Sequence, residues 1–220
     1  MHDSYWRFRR DEFLEILPAR GRLTVDLGCG EGRVTRDLKA LGHAVHGIDA
    51  SPTMLEHARQ ADPSIPLHLA DAADLPLDDG AADLVVAFMS LQDIDDWEGA
   101  LCECGRILEP GGVLCLAIVH PVNSAGLFES RDPDARFVID GSYLEHHRYE
   151  DHLERDGLTV HFASEHRPFE AYAGALTTNG FVIEGIWERG IPPHAARDAA
   201  DERWQRVPLF LHLRARRLAT

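Results

Sequence analysis

Residues 25–33 read Val25-Asp26-Leu27-Gly28-Cys29-Gly30-Glu31-Gly32-Arg33, and the fold is decided by how this stretch is read. The apolar run Leu23 to Leu27 predicts a short strand. Three glycines at alternate positions predict a tight turn, after which Val34, Leu38 and Leu41 recur at the spacing of one buried helical face. Glycine has no Cβ, so backbone can turn sharply and approach a ligand, and the first N–H groups of the new helix are left free for it. A strand, a glycine turn and a helix in this order make a nucleotide-type site.

The spacing narrows the ligand. A dinucleotide turn reads G-x-G-x-x-G and seats pyrophosphate at the helix start. Here the pattern is G-x-G-x-G, position 33 is arginine, and Asp26 stands two residues before Gly28. A carboxylate at the strand end repels pyrophosphate and favours a ligand bearing an ammonium group. S-adenosylmethionine carries that ammonium, a ribose and an adenine, and no phosphate. On these residues alone a turn that only packs strand on helix stays open.

The chain has 220 residues, 45% hydrophobic and 27% charged, which suits a single globular domain with room for an inserted element. Its 22 basic against 37 acidic residues give a net charge of −15, unfavourable to an extended phosphate-backbone contact. No apolar run approaches a membrane span, and Met1 to Tyr5 lacks the basic-then-apolar pattern of a secretion signal. The four cysteines form no disulfide or zinc framework, and Cys102 and Cys104 point apart on a helix. A reducing cytoplasm is the expected home.

Taken in order, residues 4–17 predict an amphipathic helix, and strand one follows. Ala44 to Ile48 predicts strand two, ending in Asp49, and Ser51-Pro52 starts a helix with a hydroxyl cap and an N1 proline. Strands three and four are expected at Leu67 to Ala70 and Asp83 to Phe88. A helix from Trp97 to Leu108 ends at Pro110-Gly111-Gly112, and Val113 to Val119 is strand five. Strands alternating with helices predict a parallel sheet with right-handed crossovers. Residues 120–165 break this rhythm, and alternation at Leu158, Val160 and Phe162 suggests a small hairpin. Pro168 opens a helix that Asn179-Gly180 ends, and Phe181 to Trp187 and Val207 to Leu213 are the last two strands.

A carboxylate at Asp49, about 20 residues past the first glycine, can accept hydrogen bonds from ribose hydroxyls. Asp71 and Ala72, beyond strand three, fall where an adenine would lie, the Asp accepting from its amine. Together these spacings resemble the class I S-adenosylmethionine-dependent methyltransferases, in the branch acting on small molecules. The first motif is similar to Asp26-Leu27-Gly28-Cys29-Gly30-Glu31-Gly32, the ribose loop to Gly47-Ile48-Asp49-Ala50-Ser51, and the adenine segment to Asp71-Ala72-Ala73-Asp74-Leu75-Pro76. Phe88-Met89-Ser90-Leu91-Gln92-Asp93 resembles the segment flanking the cofactor, and Arg106 to Gly112 the turn before strand five.

The resemblance is strong over residues 20–120. It implies an α/β, Rossmann-like three-layer sandwich whose seven-stranded, mostly parallel sheet has an antiparallel last strand beside the fifth. A small insert follows strand five. It implies S-adenosylmethionine as cofactor and S-adenosylhomocysteine as product. The expected cofactor-binding residues are Asp26, Gly28, Cys29, Gly30, Asp49, Ala50, Met54, Asp71, Ala72, Ala73 and Met89. One domain, 1–220, would then comprise an N-terminal helix or lid (1–19), a cofactor-binding core (20–119), a substrate cap (120–165) and a C-terminal helix with strands (166–220).

The expected activity is methyl transfer to oxygen, nitrogen or carbon of a small-molecule acceptor. Alignment with the electrophilic methyl supplies much of the acceleration, so a base is needed only for a protonated acceptor. His120, closing strand five at the ligand edge, is the leading base, with Tyr143, His161 and His166 as further pocket candidates. Glu145, His146, His147 and His152 lack metal-ligand spacing, so no metal is expected. Tyr5, Trp6 and Arg10 of the first helix could cover the cofactor. Alternatives are a non-methylating protein of the same fold, cyclase-like or an interaction module, and a nicotinamide oxidoreductase, which the glycine spacing disfavours. The expected partners are the acceptor and at most a second copy, with no nucleic acid and no membrane.

Overall fold

The computed structural model describes residues 8–155 and 158–219, with side chains described outside 151–162. The expectations for Tyr5 and Trp6, and for the side chains of His152 and His161, lie outside the described residues. Five parallel strands are β1 (Thr24–Leu27), β2 (Val45–Asp49), β3 (Leu67–Leu69), β4 (Ala82–Phe88) and β5 (Leu108–Val119). They join β10 (Phe181–Arg189) and β11 (Phe210–Arg217) in one seven-stranded sheet ordered β10-β11-β5-β4-β1-β2-β3. β11 runs antiparallel to both neighbours, as the resemblance implied.

Helices cover both faces because β4 and β5 are apolar on both sides: Val85 and Leu114 pack with one cluster, Leu84, Val86 and Cys115 with the other. α4 (Trp97–Ile107) and α6 (Phe169–Thr178) bury Leu101, Cys104, Tyr172 and Leu176 against the first face. α1 (Arg10–Leu14) and α2 (Arg33–Ala40) bury Phe13, Val34 and Leu38 against the second. α3 (Pro52–Ala61) starts at Ser51, whose Oγ accepts from the Met54 N–H at 3.3 Å, with Pro52 at the first helical position.

Three expectations change. Leu41 is 49% exposed, because α2 ends at Ala40 and Leu41 forms its cap rather than another turn of the buried face. β5 starts at Leu108, directly from α4; Leu108 pairs with Ala82, and Pro110-Gly111-Gly112 bulges before Val113 regains register with Leu84. β11 runs from Phe210 to Arg217 rather than Val207 to Leu213. Its arginine-rich end reads as loop, yet Arg214 and Arg216 both pair with Glu184 of β10.

The insert after β5 holds α5 (Pro121–Ser124) and two antiparallel hairpins. The first pairs β6 (Gly126–Phe128) with β7 (Phe137–Ile139), the second β8 (His147–Arg155) with β9 (Leu158–His166). The second hairpin is longer than the alternation of Leu158, Val160 and Phe162 suggested. Among the described residues no helix is long and apolar enough to cross a membrane.

Candidate active site

The carboxyl ends of β1, β2 and β4 converge on the glycine turn. Gly28, Gly30 and Gly32 all adopt positive φ (69°, 55° and 74°), so each side-chain-free position is demanded by the backbone. A Cβ on Gly28 would stand 2.4 Å from that of Ser90, whose hydroxyl donates to the Leu27 carbonyl at 2.7 Å. The β1 turn and the segment after β4 are thereby locked together. Met89, the residue between β4 and Ser90, sits at φ 55°, a strained backbone for a side chain that bulky. Strain of this kind persists where surrounding structure fixes it, as at ligand sites.

Asp49 ties the turn to β2. Its Oδ2 accepts from the Gly30 N–H at 2.7 Å and its Oδ1 from the Ser51 N–H at 2.8 Å. Each carboxylate oxygen retains a further lone pair, enough for two hydroxyl donors such as a ribose diol. Gly30 has room on its outer side, since an added Cβ meets only the Met54 methyl at 3.4 Å. Arg33 is paired with Glu31, and Arg36 donates to the Glu31 carbonyl at 2.7 Å. The two arginines nearest the turn are thus engaged with Glu31. A neutral, hydroxyl-bearing ligand fits this lining better than a pyrophosphate does.

Asp26 lies beneath the turn rather than on its open side. It is 1% exposed, and Thr35 of α2 donates to its Oδ2 at 2.6 Å. Burial pushes its carboxyl up to about 7, opposed by the Thr35 hydrogen bond. The expected direct contact with a ligand ammonium gives way to a supporting role, fixing α2 under β1. Cys29 is likewise buried, and burial beside Asp26 and Asp49 drives its thiol pKa upward, so it stays neutral. Asp71, exposed beyond β3, accepts from the Ala73 N–H at 2.9 Å, while Ala72 packs on the core. Ala73 abuts the first turn of α4 at Gly99.

On the acceptor side, His120 closes β5 and caps α5. Its Nδ1 accepts from the Val122 N–H at 3.0 Å, so its Nε2 carries the proton and donates to Glu188 at 2.9 Å. Burial lowers its pKa against the pull of Glu188. With both nitrogens occupied, no lone pair is left to take an acceptor proton, which corrects the expected base to an anchor for the insert. His166 and Tyr143 do meet, with ring centroids 5.8 Å apart. His166 is fully buried between the Ser124 hydroxyl (2.7 Å) and the Tyr143 carbonyl (2.9 Å), and the Tyr143 hydroxyl accepts from the Phe169 N–H at 3.1 Å. These groups knit the hairpin base to α6, and His120 reaches them only through α5.

Two residues escaped the sequence reading. Ser90 and Asp93 lie within the quoted post-β4 segment but carry no distinguishing spacing. Asp93 accepts from the Ser164 hydroxyl of β9, and burial of its carboxyl raises the pKa to about 6 against that hydrogen bond, although part of the residue reaches solvent. A groove of about 690 Å³ between α4 and α6, lined by Glu98, Cys102, His146 and Glu170, contains none of the turn residues. Among the described residues no three His, Cys, Asp or Glu side chains cluster to hold a metal.

Comparison with known proteins supports the same assignment. Residues 25–116 match the family described as a methyltransferase domain. The chain is 34% identical to a demethylmenaquinone methyltransferase of Tropheryma whipplei over 125 residues, 55% of this chain and 51% of that one. It is 34% identical to a malonyl-[acyl-carrier protein] O-methyltransferase of Pectobacterium atrosepticum over 108 residues, 49% of this chain and 43% of that one. The chain thus spans about half the length of the curated relatives it matches. A crystal structure of an S-adenosylmethionine-dependent methyltransferase from Mesorhizobium loti superposes with TM-score 0.78 at 28% identity, covering 98% of this chain and 99% of that one. With the strand order and the glycine turn, these likenesses show a methyltransferase domain over residues 25–116 and the fold of the class I S-adenosylmethionine-dependent methyltransferases, whose cofactor is S-adenosylmethionine.

Proposed function

We propose that this chain catalyses methyl transfer from S-adenosylmethionine to a small-molecule acceptor. The observation that carries the reading is the Asp49 carboxylate, fixed by two backbone N–H groups at the open edge of a turn of left-handed glycines. When bound, the cofactor supplies an electrophilic methyl on a sulfonium. Asp49 would hold the ribose hydroxyls, Gly28, Cys29 and Gly30 would present backbone to the amino-acid end, and Asp26 would brace that backbone from below. Ala50 and Met54 would border the ribose, Asp71, Ala72 and Ala73 the adenine, and Met89 the path to the acceptor.

Alignment then carries the rate, because an in-line nucleophile needs no covalent help. His120, Tyr143 and His166 contribute as positioning residues that hold the insert over the carboxyl edge. Residues 1–19 and 120–165 act as lid and cap over a core of residues 20–119, all within one domain. A net charge of −15 supports a small acceptor over nucleic acid, and relatives named for demethylmenaquinone and malonyl-[acyl-carrier protein] agree with that choice. Four free cysteines support a reducing cytoplasm. Calorimetry with S-adenosylhomocysteine and with NAD tests the site directly. Micromolar binding of the first and none of the second is expected, and the reverse order would overturn the reading. Methyl transfer from labelled cofactor to a panel of hydroxyl, amine and carboxylate acceptors then tests the activity.

A further inference from the structure

The imidazoles on the acceptor side are spent on structure, so a proton leaving a hydroxyl acceptor needs another home. His120 has both ring nitrogens engaged, and so does His166. Asp93, in the segment after β4, is not limited in that way. It ends a single 3₁₀ turn, Leu91–Asp93, which begins just after Met89 and Ser90 leave the sheet.

Backbone and side-chain hydrogen bonds fix where this turn sits. The Met89 N–H donates to the Ala117 carbonyl of β5 at 2.7 Å, and the Asp93 N–H donates to the Ser90 carbonyl at 2.9 Å. Ser90 in turn donates from its hydroxyl to the Leu27 carbonyl at 2.7 Å. Asp93 is therefore two hydrogen bonds from the glycine turn, at the carboxyl edge where ligands of open α/β sheets bind. Gln92, buried beside it, donates to the Met89 carbonyl at 2.8 Å and stiffens the same turn.

The carboxylate is firmly engaged through one oxygen only. Oδ1 accepts from the Ser164 hydroxyl of β9, so the insert proposed to cap the acceptor closes onto this group. Oδ2 has the Gln92 amide at 3.5 Å, the outer limit of a hydrogen bond, and keeps lone pairs to offer. Asp93 as a residue stays exposed rather than sealed beneath the hairpin. The charge that acts on it is Arg167, buried between β9 and α6 and engaged with Glu165 and the Ile94 carbonyl. Tyr172 of α6 lies in the field of both. Burial outweighs Arg167 and the hydroxyl and raises the Asp93 carboxyl to about 6, a value suited to taking and releasing a proton near neutral pH.

We propose, resting on the methyl-transfer reading, that Asp93 is the general base of the reaction, taking the proton of a hydroxyl acceptor while Ser164 holds it in place. As the acceptor oxygen bonds the methyl carbon, its proton passes to Asp93 Oδ2 and the carbon–sulfur bond breaks. The electron pair of that bond stays on sulfur, which leaves as a neutral thioether. Asp93 then releases the proton to water.

The test follows the Asp93 carboxyl carbon by NMR in protein carrying carbon-labelled aspartate, with Asp93→Asn assigning the signal by its loss. In the S-adenosylhomocysteine complex the carboxyl should titrate near 6. Exchanging that ligand for S-adenosylmethionine should lower the midpoint by about 0.5 or more, because a positive sulfonium then faces the carboxylate. Ser164→Ala should raise the midpoint, since its hydroxyl favours the charged form. Turnover is read at pH 8 with phenol, which arrives protonated, and with 4-nitrophenol, which arrives ionised. Asp93→Asn should slow phenol methylation about 100-fold while leaving 4-nitrophenol methylation and S-adenosylhomocysteine affinity nearly unchanged. A midpoint indifferent to the charge of the bound ligand, or equal losses with the two phenols, would overturn the proposal. Where neither phenol is methylated, the NMR titrations decide it. If Asp93→Asn does not fold, the single signal moved by Ser164→Ala serves for assignment and test alike. Failure of S-adenosylhomocysteine to bind the parent removes the methyl-transfer reading, whereas binding with an indifferent Asp93 removes this proposal alone.

Discussion

Asp49 and Asp26 show how two carboxylates a few residues from the same turn come to opposite uses. Asp49 is held in place by N–H groups and remains open to further donors, so Asp49→Ala should weaken S-adenosylhomocysteine by more than about 1 kcal/mol. Calorimetry on a variant whose circular dichroism matches the parent checks this; unchanged affinity would exclude Asp49 from the site. Asp26 is buried, and its folded pKa near 7 lies above the ordinary 3.8. Between those values the folded chain holds a proton that the unfolded chain has released, so this group costs stability as pH rises through the window and costs most above 7. Asp26→Asn should therefore be more stable than the parent at pH 8, by on the order of 2 kcal/mol, with the gap closing toward pH 4. Urea midpoints at the two pH values measure it. Asp49 was legible because strand end, spacing and chemistry coincide in sequence. The burial of Asp26 was not, because it depends on Thr35 of α2 folding beneath β1, a contact between elements that no local pattern records.

At the scale of elements, the strands and helices through residue 119 followed from period and punctuation, since each has one dominant environment. The insert did not. The first hairpin packs Phe128 and Phe137 on Trp204 but leaves Leu127, Val138 and Ile139 exposed, and the second is tethered by Ser164 to Asp93 and Arg148 to Asp95. A two-stranded hairpin is marginal alone. Its amide protons should therefore exchange readily in the free protein and slow when S-adenosylhomocysteine and acceptor bind. Hydrogen exchange across residues 120–166 that ignores both ligands would argue against a cap. His120→Asn should keep the α5 cap and most stability, whereas His120→Ala should lose about 1 kcal/mol, read from thermal unfolding. Either way the pH dependence of the rate should stay that of the parent, because the imidazole in this arrangement has no lone pair to offer.

Over the whole molecule, the shifted histidines pull in one direction. Burial lowers the pKa of His43, His46, His120, His166 and His212, so below about 6.5 the unfolded chain binds protons that the folded chain resists. Stability is complete above that pH and is lost as pH falls through it. Asp26 offsets part of the loss, so Asp26→Asn should show a steeper acid decline than the parent in urea titrations from pH 8 to 4.5. The overall architecture was legible from the alternation of elements alone, but the seat of β11 came from family resemblance, because pairing across distant segments leaves no mark in local spacing. That seat has its own consequence. β11, the last of the seven strands to leave the ribosome, enters between β5 and β10 rather than at an edge. Until then, a nascent chain holds the whole parallel half of the sheet with β5 unpaired on one side, a sticky border open to other chains. Chaperone dependence and aggregation during synthesis should therefore track the delay before residues 210–217 emerge, not the stability of the finished fold.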